Sequence, residues 1–513
     1  MTRIVLIVLI YIISFPFGFA QSDVATLELK GSKPLDAYAA NDTYGNIAYI
    51  FQFSKTYQVT IIDATYRMKN IFTIPREGDD KKNIVIGATL SEKNFTVYMH
   101  SPKHKTFTSL VVDRFKGTYT YNNIGSVEPD LNYLKAFDME GAFYLMLVPT
   151  HKNSITVLST KEGVPFETTN YEIDFPTLYA KLSGKNDDLN QKTDTPVGIE
   201  YISYTRENNI KSAYPTKKMF TYGNKIYMTF DEPQTTHLVI IDPTIKKSTY
   251  RKLNFSLDKG EIVKQGNSFL NKGGDLFRTT LGVNQMNISV INLDSMELLK
   301  AYNLYPDKDI EILNGIIKED GNDIGEKVIK SSQQYFKKLH KGKLAIAVNN
   351  LNDGRYEAEV GAYEEVIITR GGNGNGFGSP GLSIGMGMGT GMGMGGMGMG
   401  GMGMGYGGMG MGYGGFGSPY GYGGYPGYYG NNNNYTSSSV RIIYFQTLLK
   451  YEDLSHLDGN VPKTLREKIN EYEEKVFKGN EPEILNITPC YNGLVLGYYA
   501  KHKHSFQLVE IKR

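Results

Sequence analysis

The chain has 513 residues, 55 of them basic and 53 acidic, a net charge of +2 that excludes a large one-signed field and disfavours nucleic acid as a partner. A single cysteine, Cys490, excludes any internal disulfide, and the absence of Trp beside 38 Tyr is unusual. Without the first twenty residues and one low-complexity stretch, about 420 residues remain, enough for one large all-β domain or two average ones.

In chain order, Arg3 followed by the apolar run Ile4 to Phe19 and the small residues Gly18 and Ala20 reads as a signal peptide, 1–20, with cleavage expected before Gln21. No second run of about 18 apolar residues follows, so no transmembrane segment is expected in the mature chain. The expected location is therefore exported: the periplasm, or an outer-membrane-associated or cell-surface position.

From Ser22 to Pro306 one pattern returns. An alternating strand ends in an aliphatic pair and an acidic or polar residue, then a short turn leads into another strand. The endings are Tyr57 to Asp63, Ser109 to Asp113, Ile155 to Ser159, His237 to Asp242 and Ile288 to Asp294. The following strands are Asn70 to Ile74, Thr118 to Tyr121, Asn170 to Ile173, Arg251 to Phe255 and Ala301 to Leu304. The terminal Asp or Asn closes the turn by accepting a hydrogen bond from the backbone two residues on. Between Asp307 and Lys341 the period becomes helical, with Val328, Tyr335, Phe336 and Leu339 on one side, Asp323 and Glu326 as cap and Gly342 as stop. Lys343 to Asn349, Tyr356 to Arg370 and Arg441 to Lys450 return to strand. A second helix is expected over 462–478, with Leu465, Ile469, Tyr472 and Val476 as its apolar stripe. Ala25 to Lys30 and Ser505 to Lys512 are strands placed to close a ring.

A repeat of roughly 40 to 50 residues with about four strands is the mark of a β-propeller. In this pattern the chain resembles exported bacterial β-propeller repeat proteins of the WD40-like or YVTN-like kind. The resemblance covers residues 22–310, without their Gly-His and Trp-Asp signature. It implies a mainly β fold: an irregular propeller of about 6–8 blades with two added helices. Stacked β-sandwich domains are the alternative. The organisation expected is a first propeller part over 21–370, a low-complexity insertion over 371–440 and a closing part over 441–513.

That insertion is free of charge, and Gly fills half of the positions from Gly371 to Gly430. Such a composition cannot offset its own ordering entropy, so a disordered loop is expected. Met386, Met388, Met392, Met394, Met397, Met399, Met402, Met404, Met409 and Met411 alternate with Gly and are soft thioether donors suited to Cu(I). No His or Cys accompanies them. Tyr406, Tyr413, Tyr420, Tyr422, Tyr425, Tyr428 and Tyr429 are aromatic contact points on a pliable backbone, suited to weak multivalent binding. The nucleophile-elbow match at Ser383 and the Gly-x-Gly-x-x-Gly match at 376–381 arise by chance in half-Gly sequence.

Elsewhere, His100, His104, His502 and His504 read as solvated turn residues, and Cys490 as a small buried hydrophobe. No catalytic residue and no cofactor is expected, and quinone docking through Trp is impossible. The reading is a non-enzymatic scaffold or accessory subunit of a cell-envelope complex, with envelope or outer-membrane proteins or cell-surface glycans as partners. A propeller hydrolase or lyase with a channel site is the alternative, and a copper-binding protein the second.

Overall fold

In the computed structural model, residues 23–512 are described except 32, 78–82, 102–104, 184–197, 205–206, 322–323, 352, 371–434, 478–483 and 491–492. They form seven sheets of four or five strands, antiparallel except for one parallel pairing in blade 4. Blades 1, 2, 3 and 5 span Asp36–Pro75, Ile84–Ser126, Leu131–Glu172 and Gln265–Leu304, each with its four strands paired in chain order. Blade 4 runs from Lys217 to Asn254 and carries one extra short strand, Glu200–Ile202. In blade 7, Leu485–Cys490, Gly493–Ala500 and Ser505–Lys512 pair in turn, and Asp23–Glu28 completes the sheet from the other end of the chain. The chain is a seven-bladed β-propeller, and the sandwich alternative is excluded by this ring of chain-ordered sheets.

Every repeat found in the sequence is the third strand of a blade and its turn into the fourth. The turns are built as the residue types dictate. Asp63, Asp113 and Asp242 accept from the backbone N–H two residues on, at 2.9, 2.9 and 3.0 Å. In blade 5 the accepting residue is Asn292 (3.1 Å), not Asp294, because the strand ends two residues earlier than the alternation suggests. Each turn then passes through a left-handed residue: Tyr66, Gly117, Gly163, Lys246 or Met296.

Blades pack face to face through apolar side chains. Tyr98 stacks on Phe143 with centroids 4.2 Å apart between blades 2 and 3, and Phe51 meets Phe506 edge-on at 4.9 Å between blades 1 and 7. Between blades 4 and 5 the junction is also ionic. The carboxylate of Asp231, its side chain fully buried, lies 2.8 Å from the Arg278 guanidinium and 3.2 Å from Lys218 Nζ. Asp231 also accepts from Thr236 Oγ1 and Ser268 N. Burial opposes its charge, but the two cations and these donors hold its carboxyl below the usual range.

Among the described residues, four α-helices decorate the ring. The first, α1 (Leu178–Ser183), buries Leu178 and Leu182, and α2 (Ile210–Ala213) is capped by Asn209. The third, α3 (Ser332–Leu339), starts later than its sequence period suggests. Ser331 caps it by accepting from Gln334 N, whereas Lys327–Ile329 is a strand with Val328 exposed, and Glu326 faces Lys318. Asp323 lies outside the described residues. The fourth, α4 (Leu465–Phe477), has a reciprocal cap between Thr464 and Glu467. Its Leu465, Ile469 and Tyr472 pack on Leu494, Leu496 and Ile511 of blade 7, while Val476 of the expected stripe is exposed. Among the described residues, no helix is long and apolar enough to cross a membrane.

Blade 6 departs from the rule. Its inner strands are Lys343–Asn350, Arg355–Arg370 and Tyr435–Lys450, but the next position is filled by Asn314–Gly321, a segment from before the blade. Among the described residues, the usual course is followed by a short bridge of Leu449 to His456.

Candidate functional site

Two features of blade 6 stand out: a projecting arm at one end and a cavity at the other.

The arm comes from strand length. The second and third strands of blade 6 each have 16 residues, against 6 to 9 in the four-stranded blades. Pairing is continuous from Arg355 with Lys450 to Arg370 with Tyr435. The innermost strand stops at Lys343, opposite Tyr363, and the outer neighbour stops at Gly321, opposite Arg441. Residues 364–370 and 435–440 therefore leave the blade as a two-stranded ribbon, about 24 Å long at ~3.4 Å per residue. The insertion joins the two ends of this ribbon. Strand pairing reaches back to Tyr435, six residues into the stretch that composition assigns to the insertion. The methionines Met386 to Met411, the tyrosines Tyr406 to Tyr429 and Ser383 all lie outside the described residues.

At the opposite end, a cavity of about 600 Å³ is lined by Tyr204, Asn208, Asn349, Glu357, Tyr451 and Lys463 among others. One wall is a segment of chain that crosses the ring. Glu200–Ile202 runs parallel to the innermost strand of blade 4, on its axis side. The chain then reaches blade 6, where α2 lies against all three inner strands. Ile210 and Tyr214 pack there with Ala345, Tyr363 and Ile442, and Tyr214 stacks on Tyr363 at 4.0 Å. The described parts of this segment thus line the inner side of the ring at blades 4 and 6.

Beneath this crossing lie two buried carboxylates, Glu357 and Glu359, with half-buried Glu207 beside them. Glu357 is 1% exposed and accepts from Gln446 Nε2 at 2.8 Å. Glu359 accepts from Ile210 N at 3.2 Å, and Glu207 from Leu465 N at the start of α4. Burial, and secondarily the charges of Glu359 and Glu207, push Glu357 well above the usual carboxylate range. At the cavity wall its carboxyl therefore holds a proton more tightly than an ordinary glutamate does. Sequence reading missed this site, since the alternation of Glu357 and Glu359 with Ala358 and Val360 looks like a strand with one wet face. Only the crossing segment, about 150 residues away, makes that face dry.

No protein-family model matches the chain, and no curated protein matches it. Among solved structures, a protein from Lactobacillus plantarum is 9% identical over 65% of this chain and 82% of its own, with a TM-score of 0.26. A streptogramin B lyase is 11% identical over 66% and 94%, with a TM-score of 0.24. The WD40 domain of SCAP from fission yeast is 10% identical over 67% and 64%, with a TM-score of 0.28. The propeller assignment stands on the strand topology itself.

The remaining residues of interest fall apart. His502 and His504 lie in an exposed turn, as expected, and His504 is left-handed. His100 is not a turn residue. It belongs to the strand Asn94–Ser101, half-buried and stacked on Phe107 at 4.9 Å, where burial lowers its pKa. His104 lies outside the described residues. Cys490 is only half-buried, at the edge of the core between blades 1 and 7, because the strand that carries it is the last rung before a turn.

Proposed function

We propose that the protein is a non-catalytic propeller scaffold of the cell envelope that presents residues 371–434 to a partner on the blade 6 arm. The observation that carries this reading is the arm itself: two 16-residue strands in register that run past their neighbours and are joined by a charge-free stretch of sequence rich in Gly, Met and Tyr. A passive spacer would need no such mount. The segment that pairs with blade 4 and packs on blade 6 ties these two blades together, which supports a body built for rigidity. Export, with the leader 1–20 removed, and residence at the periplasmic or outer surface belong to the same proposal and rest on the sequence alone. An envelope protein or a cell-surface glycan is the partner class that Gly/Tyr contacts fit.

The test is parallel capture from native envelope with the full chain and with a form in which a short turn replaces 371–434. A stoichiometric partner held by the first and lost by the second is expected. Equal capture by both removes the arm from the contact, and no partner in either overturns the scaffold reading.

One observation favours a second reading, a hydrolase or lyase: Glu357, whose pKa burial raises, lines the wall of a cavity. Turnover of any substrate that is abolished in E357Q, with folding intact, would support it.

A further inference from the structure

The arm has one property that the presentation of its loop does not require. From Glu364 to Arg370 the second strand is hydrogen-bonded only to the third, because the innermost strand ends at Lys343. Among the described residues no strand pairs with that edge. A row of backbone N–H and C=O groups is therefore directed away from the ribbon, a template for another strand.

We propose that this edge pairs with the same edge of a second copy of the chain, antiparallel and centred on Ile367. The sequence Glu364-Glu365-Val366-Ile367-Ile368-Thr369-Arg370 is complementary to itself in that register alone. Glu364 of each copy stands opposite Arg370 of the other, so two opposite-charge positions face each other by symmetry. Glu365 stands opposite Thr369, and Val366, Ile367 and Ile368 fill the three central rungs. A parallel pairing would set Glu364 against Glu364 and Arg370 against Arg370. Moving the antiparallel register by two residues in either direction takes Arg370 away from both glutamates. The other edge of the arm, Tyr435 to Val440, is Tyr-Thr-Ser-Ser-Ser-Val, without a charge to fix any register.

The arm's length makes the pairing possible. Its roughly 24 Å of free ribbon overlaps fully with that of the second copy, and the two propeller bodies stand at opposite ends. Each insertion then emerges beside the other copy's body, so the dimer doubles the number of segments presented on one particle. This uses the arm assigned above but not the partner proposed for the insertion, and the two ideas can fail separately.

Sedimentation of the full chain, without its leader, is expected to give a species of twice the monomer mass. The dimer is expected to survive replacement of 371–434 by a short turn, which removes the presented segment but not the edge. R370E places like charges opposite each other at both ends and is expected to weaken the dimer about tenfold, with an unchanged melting transition. Because Glu364 also faces Arg441 in its own hairpin, E364R combined with R370E is expected to restore dimerisation only in part. In a C490S background, Ile367→Cys is expected to cross-link two chains under oxidised glutathione. Facing Cα atoms of an antiparallel pair are about 4.5–5.5 Å apart, within disulfide reach. Ser438→Cys, on the other strand, is expected to give none. A monomer at all concentrations overturns the proposal, as does a dimer indifferent to R370E, one that requires 371–434, or one cross-linked through residue 438.

Discussion

Asn208 and Asn349 hold each other by two reciprocal bonds. Asn208 N donates to Asn349 Oδ1 at 2.8 Å, and Asn349 Nδ2 donates to Asn208 O at 2.9 Å. Both residues are buried, so one amide side chain satisfies both backbone groups of a residue 141 positions away and pins the crossing segment to blade 6. Asn349→Ala leaves a buried N–H and C=O without their partner and is expected to cost about 2–3 kcal/mol. Asn349→Asp keeps the acceptor and is expected to fall between the two. Urea unfolding followed by tyrosine fluorescence checks both.

The acidic group beneath the crossing makes stability depend on pH in a defined direction. Glu357 has a raised pKa in the folded chain, so the folded state holds its proton more tightly than the unfolded state. Its favourable contribution is fully present below the ordinary carboxylate pKa and is lost as pH rises through the folded value. E357Q keeps an oxygen to accept from Gln446 and removes the titration. The expected result is a higher urea midpoint for E357Q at neutral and alkaline pH and no difference at pH ~4. Equal midpoints across this range would place the proton elsewhere.

Asp231 acts in the opposite sense. Its pKa is lowered in the folded chain, so its contribution is present above the ordinary carboxylate range and is lost as pH falls through the folded value. Asp231→Ala strands Lys218 and Arg278 without their counter-charge and is expected to cost about 3–5 kcal/mol. If that variant does not accumulate, Thr236→Val, which deletes one donor at 2.8 Å, is expected to cost about 1 kcal/mol.

Gly361 lies two residues before the last rung shared with the innermost strand. A Cβ there would stand 1.8 Å from the carbonyl oxygen of Ile443, on the paired strand. Backbone cannot step aside as a side chain can, so Gly361→Ala is expected to part the ribbon at its foot. Loss of the cooperative melt, or early proteolysis between 355 and 370, is the readout. Gly315→Ala is the contrast. Its φ of +80° disfavours a side chain but the space is open, and a cost of about 1 kcal/mol is expected.

The third-strand turns were legible because Asp63, Asp113 and Asp242 act within five residues of themselves, where a sequence pattern carries its own physics. Distant partners left no such trace. Asn314–Gly321 gives no sign that it will pair with 441–446, more than a hundred residues on. Val328 falls in phase with Tyr335 and Phe336 by coincidence, since a three-residue strand is too short for its period to oppose a helical one. The crossing by Glu200–Ile202 and α2 is two short elements without amphipathic periodicity, and with it went the buried character of Glu357 and Glu359. The arm was half visible: strands were expected on both flanks of the insertion, but their excess length shows only when the neighbouring strands are seen to stop.

The seam between Asp23–Glu28 and Ser505–Lys512 has a kinetic consequence. Thr26 Oγ1 donates to Gln507 Oε1 across 481 positions of sequence, and Leu27 packs beside Phe506 and Leu508. Contacts of such separation form late, because the largest loop in the chain must close before they contribute. Six blades can assemble as their strands become available, while the first strand waits with both edges bare. Until Ser505–Lys512 arrives, that waiting strand is the part of the chain most open to chaperones, proteases and mispairing.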